Sequence, residues 1–169
     1  MSVNINYKNV PTEKNSANLV LFVEENHNIS SLKKYISNSE LLYISDLIKK
    51  SNNKKKIIAY DINSKRKIIL VSIKKELKSS QAESLGGKFY DYFKDTEEKV
   101  FHINTDSIAT KLEDLIGYFL HGLKLKSYIF EKYKSKKFKK NFIINIIGKN
   151  KTSVKDQIKF KAIEEGTFF

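Results

Sequence analysis

Three histidines, His27, His102 and His121, are the only imidazoles in the chain, and no cysteine accompanies them. A zinc ion needs three or four nitrogen, sulfur or oxygen ligands converging on it, and a sequence usually shows part of that set as a close pair such as H-x-x-x-H. Here the histidines stand far apart: His27 in a loop-like stretch, His102 within a β-rich run and His121 on a helix, so no metal ligand is assigned. Without cysteine there is no disulfide and no Cys–His nucleophile, and no serine sits in a G-x-S-x-G elbow. Asp91 with Asp95, and Glu97 with Glu98, are carboxylate pairs typical of solvated helix ends. Acids that cleave glycosides or hold two metals must converge from separate elements. No catalytic residue is assigned. Gly86-Gly87 would suit a phosphate cradle, but no strand immediately precedes it and no third glycine completes G-x-G-x-x-G.

The remaining candidate is a basic surface. Lys134, Lys136, Lys137, Lys139 and Lys140, interleaved with Tyr128, Phe130, Tyr133 and Phe138, have the make-up of a nucleic-acid contact. The same lysines between a helix and a strand also make an ordinary solvated edge, and that reading is preferred. The net charge of +13 agrees with either. Of the 32 basic residues only Arg66 is an arginine, the residue favoured for bidentate phosphate and base contacts, so the charge reads as a lysine-rich solvated surface.

The elements that must hold these residues follow from apolar spacing. With 169 residues, 40% hydrophobic and 12% aromatic, the chain is long and apolar enough for one folded domain. Val3 to Tyr7 alternates as an edge strand, while Leu19 to Val23 is a continuous apolar run that predicts a central strand covered on both faces. Leu32 to Ile36 predicts a short helical turn. A helix capped by Ser39 should bury Leu42, Tyr43, Leu47 and Ile48. Ile57 to Ile62 and Ile68 to Ile73 form an antiparallel hairpin.

Ser80 and Glu83 read as a capping box opening a helix whose stripe is Ala82, Leu85, Phe89, Tyr92 and Phe93. Gly86 and Gly87 inside it cost about 1 kcal/mol each relative to alanine. Close helix-on-sheet packing is the expected reason. After a strand at Val100 to Ile103, Ile108, Leu112, Leu115, Ile116, Phe119, Leu120 and Leu123 define an amphipathic helix capped by Asp106 or Ser107, with Thr110, Asp114, Gly117 and His121 on its wet side. Phe142 to Ile147 is a buried strand, and Val154, Ile158 and Ala162 mark the core side of a last helix. The resulting order, ββαββαβαβα, predicts a mixed sheet with helices on its faces. No apolar run approaches 18 residues and the N-terminus carries no secretory signal, so a cytoplasmic protein with no membrane partner is expected.

Three stretches carry a family resemblance. Gly117 to Lys137, read as G-x-x-L-x-x-Y-x-F-x-x-Y-K-S-K-K, Ser39 to Lys50 (SELLYISDLIKK), and Ile69 to Phe93 with its Gly-Gly pair together resemble the N-terminal domain of the leucyl aminopeptidase (cytosol aminopeptidase) family. That resemblance implies a three-layer α/β sandwich, related in shape to macro domains, and it divides the chain. Residues 1–152 would be the N-terminal domain, and 153–169 the start of a connector helix to a C-terminal catalytic domain outside this stretch. The paired Phe168 and Phe169 fit such a continuation.

It also implies partners: the catalytic domain itself, a homo-hexamer in the full-length form, and peptide substrates for the intact enzyme. No cofactor is expected in residues 1–169; two divalent ions, zinc or manganese, are implied for the full-length enzyme. Asn104-Thr105-Asp106 matches the start of the family's metal-binding N-T-D-A-E-G-R, but Ser107, Ile108, Ala109 and Thr110 follow, so the tripeptide is read as a strand end and helix cap. The alternatives are a free-standing basic module that binds nucleic acid and, less favoured, a macro-like nucleotide-binding domain.

Overall fold

The computed structural model describes residues 3–7, 18–51, 55–109, 114–132, 141–148 and 154–167. Alternating apolar and asparagine side chains produce a short strand, β1 (Val3–Asn6). The apolar run becomes β2 (Asn18–Glu24), which sends Val20 and Phe22 into one core and Leu19, Leu21 and Val23 into another. A 3₁₀ turn (Ser30–Lys34) leads into α1 (Asn38–Lys50). Strands β3 (Ile57–Asn63) and β4 (Arg66–Ile73) form the hairpin across Ser64 and Lys65. Then come α2 (Ser79–Phe93), β5 (Val100–Asn104), a second 3₁₀ turn (Thr105–Ser107), α3 (Leu115–Lys132), β6 (Phe142–Ile147) and α4 (Val154–Thr167).

The six strands make one sheet in the order β1-β6-β5-β2-β4-β3. Only β3 runs antiparallel to its neighbour; the other pairings are parallel. Helices α2 and α3 cover one face, where Phe89, Phe93, Phe101, Phe119 and Phe142 bury their rings at centroid separations from 4.8 to 6.4 Å. The first 3₁₀ turn and α1 cover the other face with a smaller, mainly aliphatic core. The architecture is the expected three-layer α/β sandwich around a mixed sheet, with β1 at one edge and β2 inside.

Several local expectations are corrected. Ser37, not Ser39, caps α1, accepting from Glu40 N at 3.3 Å while its own N donates to Glu40 Oε2 at 2.9 Å. Leu42 and Tyr43 are exposed, and Ile44 is the buried residue of α1, with Leu41, Leu47 and Ile48 packed beside it. Helix α2 opens at Ser79, one residue before the predicted box. There the Lys78 amide, rather than that of Ser80, donates to a side chain three residues on, Gln81 Oε1 at 2.9 Å. Its buried set contains Gly86 and Tyr90 in place of Tyr92, which is exposed.

Gly86 faces a helix rather than the sheet: a methyl there would collide with the Phe119 carbonyl oxygen and lie 2.9 Å from Leu123 N. Reciprocally, a methyl on Gly122 would strike the Glu83 carbonyl oxygen. The backbones of α2 and α3 therefore touch, and glycine is what permits it. Helix α3 starts at Leu115 with Asp114 as its cap, whose Oδ1 accepts from Gly117 N at 3.3 Å; Asp106 and Ser107 belong to the preceding 3₁₀ turn.

Candidate functional site

The three histidines stay apart on separate elements. His27 lies in the turn after β2 with a left-handed backbone (φ 54°), and His102 lies mid-strand in β5, where burial pushes its pKa down. His121 is buried in α3. Among the described residues no group of three or more histidines, aspartates or glutamates converges to hold a metal ion. Two of the carboxylates singled out by sequence, Asp91 and Glu98, form ion pairs between elements. Asp91 of α2 pairs with Lys94 at 2.9 Å and with Lys126 of α3 at 3.2 Å, and Glu98 pairs with Lys67 at 3.1 Å.

The single arginine is also structural. Arg66 Nε meets Glu40 Oε1 at 2.6 Å, tying β4 to α1, with the two side chains only 7% and 14% exposed. Burial works to raise the Glu40 pKa, but the Arg66 guanidinium and the Ser37 amide outweigh it and hold the carboxyl below its ordinary value. Lys134, Lys136, Lys137, Lys139 and Lys140 lie outside the described residues.

An open α/β sheet normally offers a ligand crevice outside the carboxyl ends of its strands, where the strand order reverses. In this sheet that point falls between β2 and β5, which pair only at Leu19↔His102 and Val20↔Ile103 and then separate. The gap is plugged by the chain itself. Ser107 Oγ accepts from Phe22 N at 2.9 Å and donates to Asn104 O at 2.7 Å. Asn104 Oδ1 accepts from Asp106 N at 2.9 Å, the Tyr35 hydroxyl donates to Asp106 O at 2.9 Å, and Thr105 Oγ1 donates to Ile147 O at 3.1 Å. Gly148 (φ 107°) closes over the same turn, where a methyl would sit 2.8 Å from Thr105 Oγ1. Asn104-Thr105-Asp106 is thus a strand end and cap, and a nucleotide would have to displace it.

An open cleft of about 540 Å³ lies elsewhere, between β1, α3 and α4. Its walls are Ile5 and Tyr7 from the strand side, Gly117, Leu120, His121 and Lys124 from α3, and Gln157, Phe160, Lys161 and Glu165 from α4. Each helix contributes residues three or four apart, which is the spacing of one helical face. Phe160 anchors α4. Its ring meets Tyr118 edge-on at 5.1 Å and His121 at 5.9 Å, and a methyl on Gly117 would collide with it.

Two expectations fall here. Gly117 and His121 are on a covered face of α3, because α4 lies over them. Ile158 and Ala162 of the predicted core stripe are exposed, and Phe160 is buried in their place. Sequence spacing within α3 or α4 alone does not reveal this cleft; the available signal was a lone phenylalanine at 160 in a helix otherwise rich in charge.

Among the described residues no helix is long and apolar enough to cross a membrane. No protein-family profile matches the sequence, and no curated protein matches it. Among solved structures, a mutant of tomato leucine aminopeptidase superposes with a TM-score of 0.68 at 16% sequence identity, covering 96% of this chain and 35% of that one. The likeness is one of fold, and this chain spans about a third of the length of the neighbour it matches.

Proposed function

We propose that residues 1–169 are a non-catalytic N-terminal domain of a leucine aminopeptidase-like protein, in which 1–152 form the domain body and 153–169 begin the connection to a catalytic domain. The observation that carries this reading is the shared fold over 96% of the chain against only 35% of a leucine aminopeptidase. The two divalent ions implied by the sequence resemblance would belong to the catalytic domain of the intact enzyme. There they would supply an activated water for release of N-terminal amino acids from peptides. The contribution of this domain would be assembly of a hexamer and shaping of access to the active site.

The test is the intact mass of the native protein, captured by an antibody against this domain, with a leucine-amide assay run on both forms. A native chain roughly three times as long, with manganese-dependent release of leucine that the isolated 169 residues lack, is the expected result. A native chain of 19.6 kDa would overturn the reading and return weight to a basic nucleic-acid-binding module. Activity in the isolated chain would overturn it as well.

A further inference from the structure

The cleft between β1, α3 and α4 has no part in the function proposed above, yet it has the features of a small-molecule site. Its volume of about 540 Å³ falls within the roughly 300–1,000 Å³ of such sites. Its floor is apolar, made by Leu120 and Phe160, both buried, and by Ile5, half-buried. Its charged groups stand on the two helices that face each other: Lys124 on α3, and Lys161 and Glu165 on α4. Among the described lining residues two lysines stand against one glutamate, a formal balance of one positive charge.

We propose that this cleft binds a small amphipathic carboxylate, an apolar chain or ring ending in one anionic group. The body would lie against Ile5, Leu120 and Phe160, and the carboxylate between Lys124 and Lys161. Apolar walls favour a ligand that leaves water, and that formal balance of one positive charge matches a monoanion better than a phosphate dianion. Glu165, one turn beyond Lys161, works against a second negative charge. Because Phe160 is both the anchor of α4 and a wall of the cleft, a bound ligand bridges α4 to α3 and steadies the helix.

Isothermal titration of the 169-residue chain with decanoate and with 4-phenylbutanoate tests the proposal and separates a chain from a ring, with decanol as the neutral control. Saturable binding of one acid per chain is expected, at least tenfold tighter than decanol. The Lys124→Gln/Lys161→Gln double variant should weaken it at least tenfold. Hydrogen exchange in residues 157–165 should slow when the acid is bound. If the double variant does not fold by circular dichroism, Lys161→Gln alone, at an exposed position, carries the test and should weaken binding severalfold. No saturation with either acid, equal binding of acid and alcohol, or affinity unchanged in the lysine variants would each overturn the proposal.

Discussion

Among the described residues helix α3 meets α2 and α4, each contact over glycine, and the two differ in kind. Against α2, Gly86 and Gly122 lie where a methyl would strike the partner's main-chain carbonyl, so the obstacle is backbone on both sides. Behind that crossing stands the aromatic core, with Phe119 of α3 edge-on to Phe22 and Phe89 at 5.6 Å each. Against α4, Gly117 makes room for the tip of one side chain, the Phe160 ring, and a cleft remains open beside it. Main chain cannot move aside without the whole helix, whereas a ring can turn about its own torsions. One flank of α3 is therefore locked into the fold and the other is adjustable, and this cleft is on the adjustable flank.

The sharpest way to break that contrast is Gly86→Ala. In a helix interior alanine is favoured over glycine by about 1 kcal/mol, so the substitution would stabilise an uncrowded helix. Overpacking against the Phe119 carbonyl reverses the sign. We expect a net loss of roughly 3 kcal/mol or more, read as a lower urea midpoint with an unchanged slope. A neutral or stabilised variant would mean that α2 and α3 do not touch at this point. Phe160→Ala comes next in size. The lost apolar burial is about 1.5–3 kcal/mol, but it is local, because that ring packs on α3 away from the aromatic core. Hydrogen exchange should accelerate through α4 while the sheet's protection stays as it was. Loss of protection across β5 and β6 would show that α4 is part of the main cooperative unit.

These two glycine contacts also mark how far the sequence could be read. The order ββαββαβαβα, the central β2 and the edge β1 were legible because each depends on spacing within one segment: an unbroken apolar run at Leu19 to Val23, alternation at Val3 to Tyr7. Gly86 was legible as a point of close approach, but not the identity of its partner, since spacing within α2 says nothing about what lies opposite. Leu42 and Tyr43 were assigned to the core because two faces of α1 carry apolar residues, and only packing into the core on that side of the sheet selects the one with Ile44.

His121 was assigned to water for the same reason: α4, some forty residues on, is what covers it. The cleft assembles Ile5, Lys124 and Lys161 from three distant segments, and no pattern in any one of them declares it. The basic surface remains a sequence-level reading, since its lysines lie outside the described residues.

The smallest effect concerns the charges that span the locked flank. Asp91 of α2 reaches Lys126 of α3, and its side chain is 38% exposed. Partial burial alone would raise the Asp91 pKa, but hydrogen bonds from Lys94 and Lys126 outweigh it and leave the carboxyl below its ordinary value. A carboxyl depressed in the folded state adds stability above its unfolded pKa, near 3.9, and loses it as pH falls through the folded value. Asp91→Asn should therefore cost a few tenths to about 1 kcal/mol at pH 7. The difference from wild type should shrink below about pH 4 and in 1 M salt, where exposed pairs are screened. Comparing denaturation midpoints of the two proteins at pH 7 and pH 3 checks both the size and the sign. If Asp91→Asn cost more than Gly86→Ala, the α2–α3 contact would be held by charge rather than by backbone approach. The two flanks of α3 would then differ in electrostatics instead of in packing.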